Sequence, residues 1–409
     1  MASTQSEIEI VVDASPVAAQ EHRRLFIIVA KRSISSVLTR FHAGYFRISL
    51  SLGGQTLLWK TLIDPSHGSN PPWRLLQTLP PLGFILLWSL ALFTNVLLSL
   101  LYISRCFFRF RMVEAEFLHH VGVNYFFAPW ISWFLLLQSA PFVAPNTVSY
   151  LVLWWVFAVP VVTLDVKIYG QWFTKGKQFL TLVANPTSQL SVIGNLVGAR
   201  AAAQMGWKES AVCLFSLGMV HYLVLFVTLY QRLPGGDRLP ATLRPVFSLF
   251  VAAPSMASLA WESIAGRFDT ASKMLLFLSL FLFASLVMLT GLKIRIKKAT
   301  LFESILILGL TYFPGSKQLC RPTLFKKSMR RFSIAWWAYS FPVTILALAA
   351  TDYAEEVKTG IARGLMLLLT ALSVLIFMSL TLLTAFNSRM LLPDDDPIVC
   401  LSVHLPITK

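Results

Sequence analysis

Apolar residues along this chain gather into ten stretches, each close to the ~20 residues that an α-helix needs to cross the hydrocarbon of a bilayer. They cover 39–60, 79–104, 121–140, 147–166, 183–204, 210–231, 243–262, 271–289, 333–351 and 362–386, with polar and charged positions concentrated between them. The pattern predicts an all-α polytopic membrane protein whose ten transmembrane helices pair as five helical hairpins. Residues 1–38 read as a short N-terminal tail, 39–386 as the membrane domain and 387–409 as a short C-terminal tail. Neither tail is expected to hold a folded domain of its own.

The odd-numbered stretches share a helix-disturbing residue at membrane depth: Gly53 and Gly54 in the first, Pro129 in the third, Pro186 in the fifth, Pro254 in the seventh and Pro342 in the ninth. Among the even ones only the fourth has a central proline, Pro160. Proline removes a backbone donor and clashes with the turn before it, so a kinked helix leaves carbonyls that need a buried partner or water. Five kinked helices around an axis, with five straighter ones facing lipid, would enclose a wet central pore. The plainer reading is that prolines are common in membrane helices anyway.

Proline spacing exposes an irregularity. The intervals are 57 residues from Pro129 to Pro186, 68 to Pro254 and 88 to Pro342. Removing 288–319, a 32-residue segment between the eighth and ninth stretches, brings the last interval to 56. Its apolar centre, Leu301 to Phe313, is interrupted by Glu303 and is too short to span. It is expected to lie peripherally or to be foreign to the fold.

Charge orients the stretches. The net charge of +16 admits a nucleic-acid partner until its distribution is counted. Counting residues within three positions of a stretch end with the adjoining loop, 26 of the 35 Lys and Arg residues fall before the first stretch or after even-numbered ones and 7 after odd-numbered ones, while Arg47 and Arg200 lie deeper within stretches. The positive-inside rule then places both termini in the cytosol. The basic excess is a topology signal, and no nucleic-acid partner is expected. Cys106, Cys320 and Cys400 fall on the cytosolic side and Cys213 within the sixth stretch, so no disulfide framework is expected. "RRLFIIVAKR" lacks the features of a cleaved signal, and the first stretch is expected to act as an uncleaved one.

Little in the chain suggests chemistry. "GQWFTKGK", 170–177, has five residues between its glycines and Gln178 where a phosphate-binding loop needs four residues and Ser or Thr. His119 and His120 beside Glu114 and Glu116 read as a solvated cluster at the membrane edge, since no second group is spaced to complete a metal site. No metal, cofactor or catalytic residue is expected. None of the 19 Asp and Glu residues falls mid-membrane in an odd stretch; Asp165 and Glu262 sit at stretch ends. A proton-coupled carrier or cation pore usually needs such a carboxylate. A basic interior with broken helices suits anions instead. Arg47 and Arg200 either draw anions toward the pore or snorkel to the interface. Gly194 and Gly198 form a Gly-x-x-x-Gly pair that permits close helix packing.

Several segments in order resemble one family: "FRISLSLGGQTLLWKTL", "GVNYFFAPWISWFLLLQSAP", "ANPTSQLSVIGNLVGARAAAQMGWKE", "LRPVFSLFVAAPSMASLAWESI" and "RRFSIAWWAYSFPVT". They are similar to the plant slow (S-type) anion channels of guard-cell type, relatives of bacterial tellurite-resistance and yeast dicarboxylate transporters. The resemblance covers about 38–287 and 320–390 and looks closest to the short-tailed homologues. It implies ten helices in five hairpins around a central pore, assembled as a homotrimer or as a heterotrimer with paralogous subunits, with a phenylalanine of the ninth helix occluding the pore. By motif that residue is Phe341, carried on the bend at Pro342; ordinary core packing is the alternative. Two departures stand out. The long phosphorylatable N-terminus of regulated members has no counterpart here, and 288–319 reads as a retained intron or splice insert.

The expected function is passive passage of chloride, nitrate or both across the plasma membrane, without catalysis. A dicarboxylate carrier and a non-conducting subunit that modifies a paralogous channel are the alternatives. The expected partners are inorganic anions and the lipid bilayer.

Overall fold

A computed structural model of the chain describes residues 35–63, 81–175, 185–232, 245–294 and 334–387, and among these residues there are helices, turns and short connections but no strand. Most of the two predicted tails and residues 295–319 lie outside the described residues. Ten longer helices follow in order: α1 Arg47–Ile63, α2 Pro81–Phe108, α3 Phe127–Ser139, α4 Val148–Lys175, α5 Gln189–Gln204, α6 Lys208–Arg232, α7 Leu249–Ala265, α8 Thr270–Ile294, α9 Ser340–Val357 and α10 Gly360–Phe386. A short helix, Phe110–Leu118, precedes α3 and meets Gly122–Ser139 at 104°.

Burial separates the helices by number. In the most apolar part of α2 only 11% of positions are buried, against 94% in the segment Ile334–Val357 that contains α9. Leu82, Leu86, Leu90, Phe93, Leu97 and Leu100 form an exposed apolar stripe on α2, and Val152, Val156 and Val159 continue the theme on α4. Exposed apolar stripes of this length are what a lipid-facing helix presents. The odd helices are enclosed. α1 touches α3, α3 touches α5, α5 touches α7, α7 touches α9, and α9 returns to α1, while each also packs against the even helix that follows it.

Every inner helix begins in the same way. Three-residue-per-turn helix leads into α1 (Ala43–Phe46), α5 (Pro186–Ser188), α7 (Pro245–Ser248) and α9 (Ile334–Tyr339), and a four-residue helical turn, Gly122–Tyr125, leads into α3. These leading turns also touch in a circle, the last of them against α1. All five inner helices therefore have their N-termini at one end.

Among the described residues, six helices are long and apolar enough to cross a membrane, counting α7 and α9 together with their leading turns, and seven if the 104° pair counts as one span. Of the remaining predicted spans, α8 counts only over Thr270–Leu286 among the described residues, and the three inner ones fall short for a physical reason. Part of each inner stretch is used by its leading turn, leaving 17 residues in α1, 13 in α3 and 16 in α5. Small polar residues then lower the hydropathy of what remains. Those residues join neighbouring helices: Ser49 donates to Ser132 at 3.0 Å, Thr56 and Ser139 are 3.0 Å apart, and Gln55 donates to Thr344 at 3.0 Å. In a membrane such bonds contribute ~0.6–2 kcal/mol each.

Candidate functional site

The ring of Phe341 lies where α9 meets α1. Phe341 is 1% exposed, and a Cβ added to Gly54 of α1 would stand 3.3 Å from its Cδ2 atom. The absence of a side chain at Gly54 is what lets the ring approach. One residue on, Pro342 has no N–H, so the carbonyl of Ala338 receives no helical bond from it. Ser248, in the leading turn of α7, lies with its hydroxyl 2.6 Å from that carbonyl and 2.7 Å from the carbonyl of Pro245. The neighbouring carbonyl of Trp337 accepts from Ser51 of α1 at 3.2 Å. Thr344, on the next turn, lies 2.8 Å from the Ser373 hydroxyl of α10 and donates to the Ser340 carbonyl at 2.9 Å. The backbone carrying the ring is thus fixed from three sides, by α1, α7 and α10.

The other helix-disturbing residues take different positions from those expected. Gly53 and Gly54 lie inside one continuous helix with ordinary helical φ, so they do not break it. They act by lacking a Cβ: one at Gly53 would stand 3.2 Å from Cβ of Leu135 on α3. Pro186 opens the leading turn of α5, and Pro129 and Pro342 are third residues of their helices. Early in a helix the missing N–H interrupts little of the ladder. Among the five inner helices only Pro254 stands well inside one, α7. Hydropathy could not reveal this, because a run averaged over about 20 residues does not mark where a leading turn gives way to the helix it opens.

Fixed charges divide between the two ends of the inner helices. Arg47, the first residue of α1, is 7% exposed, its guanidinium carbon 4.7 Å from the centre of the Tyr125 ring. Its Nε and Nη1 atoms have no hydrogen-bond partner. Arg200, near the far end of α5, donates to Gln138 Oε1 at 3.3 Å and shares its surroundings with Asp352, which is hydrogen-bonded to Glu262. Asp352 thus stands near Arg200, whose Nε, like that of Arg47, has no hydrogen-bond partner among the described residues. No Asp or Glu stands in the first turn of any inner helix.

Two carboxylates sit where the sequence did not lead us to expect them. Asp165 is inside α4, 2% exposed, accepting from Ser191 and from Asn195, each at 2.7 Å. His221 of α6 extends this cluster, with Nδ1 at 2.9 Å from the Ser191 hydroxyl. Glu116 does not belong to a solvated cluster with His119 and His120. It is 3% exposed, pairs with Arg105 at 3.0 Å and accepts from the backbone N–H of Ala43 at 2.8 Å. Gly122 allows this approach, since a Cβ there would fall 2.3 Å from the Glu116 carbonyl oxygen. The one signal available in the sequence was the spacing of Arg105 and Glu116, which places both at the same edge of the membrane. Ser248 and Gln189 carried no signal at all.

The sequence profile of a family described as "Voltage-dependent anion channel" matches residues 40–385. The chain is 54% identical over 391 residues to the S-type anion channel SLAH1 of Arabidopsis thaliana, which covers 96% of this chain and 93% of that relative. It is 53% identical over 389 residues to the S-type anion channel SLAH4 of the same plant, covering 95% of each. The guard cell S-type anion channel SLAC1, also of Arabidopsis thaliana, is 40% identical over 376 residues, which are 90% of this chain and 60% of that relative.

Proposed function

This chain belongs to the family of voltage-dependent anion channels, and from that premise we propose that it is a slow S-type channel through which chloride, nitrate or both leave the cell passively. Ten helices cross the plasma membrane as five hairpins, with both termini in the cytosol. The inner helices α1, α3, α5, α7 and α9 surround the path of each subunit, and the subunits assemble as trimers with copies of themselves or with paralogous chains. Phe341 closes the path, Arg47 draws anions to its cytosolic end, and Arg200, partly neutralised by Asp352 and Glu262, contributes less.

The observation that carries this reading is the setting of Phe341: a bulky apolar ring, held by a backbone braced from three neighbouring helices, against Gly54 of α1, which has no side chain to oppose it. A merely space-filling phenylalanine needs no such bracing. The absence of carboxylates from the first turns of the inner helices favours anions over cations. Family and relatives alike are channels and not enzymes by name.

Recording this chain alone in oocytes, with chloride and nitrate in turn as the main anion, tests the proposal. Stepwise unitary currents that reverse with the anion gradient are expected. Flux that saturates and moves with protons would make it a carrier, and current seen only on co-expression would make it a modifying subunit.

A further inference from the structure

We propose that the leading ends of the inner helices form a binding station for a permeating monovalent inorganic anion, with the Arg47 guanidinium, the Gln189 carboxamide and the Ser340 hydroxyl as its donors. The inference deepens the channel reading and rests on it.

These three residues hold equivalent places: each is the first residue of its inner helix, α1, α5 or α9. All three are enclosed, Arg47 at 7% exposure and Gln189 and Ser340 at 0%. All three carry polar atoms with no partner among the described residues: Nε and Nη1 of Arg47, both Nε2 and Oε1 of Gln189, and the hydroxyl of Ser340. Burying a guanidinium without an acceptor, or a carboxamide with neither end bonded, is strongly unfavourable. Three such groups at one level of the fold require a common explanation.

Helical periodicity places them toward the middle. Arg47 and Gly54 are seven residues apart, so they share a stripe to within about 20° and are separated by about 10 Å along the axis. Gly54 is the residue that meets Phe341. Arg47 therefore stands on the face of α1 that meets the proposed gate, two turns nearer the N-terminal end. On α5, Ser191 and Asn195 are committed to Asp165 of α4 and to His221 of α6, and Gly198 lies against Leu214 of α6. Gln189 is about 160° around the helix from Ser191, away from those outer partners. Ser340 directly precedes Phe341.

The electrostatics select an anion. Five helix N-termini converge here, each carrying about half a positive charge, and the guanidinium adds a full one. Glu116, whose carboxylate reaches the leading turn of α1, is already paired with Arg105. The Gln189 nitrogen donates to the anion, and its oxygen is left for water that travels with the ion. Phe341 stands beyond, so the station loads an anion before the ring moves.

Conductance measured against chloride concentration at the cytosolic face, in excised patches, tests the station. Arg47→Gln and Gln189→Leu are each expected to raise the half-saturating concentration about threefold or more, as loss of a charge-assisted bond implies, with a smaller rise for Ser340→Ala. Asn95→Leu, which removes an equally buried and unpartnered amide from the lipid-side helix α2, is expected to leave it unchanged. Normal surface levels with an unaltered half-saturating concentration in both Arg47→Gln and Gln189→Leu would overturn the station while leaving the channel reading intact. If the wild type passes no current, the channel reading fails and a second measurement decides the station by itself. The melting midpoint of the wild-type protein in detergent is expected to be higher in sodium chloride or nitrate than in sodium gluconate of equal ionic strength, and Gln189→Met is expected to lessen the difference. Equal midpoints in all three salts would rule the station out.

Discussion

Phe341 is packed as tightly as any core residue, and what distinguishes a gate from a core ring is the response to its removal. Truncating an ordinary core phenylalanine costs ~3–5 kcal/mol, so surface expression and current would fall together. For a gate, Phe341→Ala is expected to increase basal current per channel at the surface, and Phe341→Leu to increase it less, because leucine still fills much of the space. Current and surface level measured in parallel separate the two. Gly54 offers an independent check. Gly54→Ala places a methyl 3.3 Å from the ring, so it is expected to lower the melting midpoint in detergent by an amount equivalent to about 1 kcal/mol. Combined with Phe341→Ala, the same substitution should cost almost nothing further, since the atoms it meets are gone. Additive losses would show that the two residues do not bear on each other.

At the scale of the element, the leading turns turn local interruptions into bonds between helices. The carbonyl freed by Pro342 is taken up by Ser248 from a turn 90 residues earlier in the chain, which ties the start of α7 to the start of α9. Ser248→Ala leaves that buried carbonyl without its donor, at a cost of ~1–3 kcal/mol, and loosens the backbone under Phe341. A lower melting midpoint with altered basal current is expected, and Ser248→Thr, which keeps the hydroxyl, should restore both. A change in midpoint alone would confine Ser248 to stability. The long interval before α9 is a second matter at this scale. α8 continues to Ile294, so the start of the suspected insert is helical and the rest lies outside the described residues. Deleting 295–319 is expected to leave assembly in detergent unimpaired, judged by the elution and yield of the purified protein. Loss of assembly would make the segment part of the fold.

Across the whole molecule, the Arg105–Glu116 pair links the lipid-facing layer to the inner one. Arg105 belongs to α2, Glu116 to the short helix after it, and the carboxylate also holds the N–H of Ala43 in the leading turn of α1. Removing one member leaves a buried charge uncompensated, which typically costs ~3–5 kcal/mol. Glu116→Leu is therefore expected to reduce surface expression severely. Adding Arg105→Met should recover much of it, because no lone charge remains. If the double variant is as poor as the single one, the bond to Ala43 and not the charge pair is what matters.

The sequence by itself determined the all-helical class, the membrane setting and the family. These rest on runs of apolar residues and on segments such as "FRISLSLGG" and "AWWAYSFPVT", whose meaning does not depend on where the chain goes next. It also marked Pro342 and Gly54, because a proline and a paired glycine are conspicuous inside apolar stretches, and Phe341 through the resemblance of its segment to the family. Only the tertiary structure decided which of these meet, and through what. Gly53 and Gly54 look alike in the sequence but lie against α3 and α9 respectively, and Pro129, Pro186 and Pro342 belong to leading turns or first turns whose boundaries an apolar run does not mark. Ser248, Gln189 and Glu116 are ordinary polar residues until folding encloses them. A hydroxyl, an amide or a carboxylate takes its role from the partner it finds or lacks in a place without water, and one such partner, Thr344 for the Gln55 amide, lies 289 residues away along the chain.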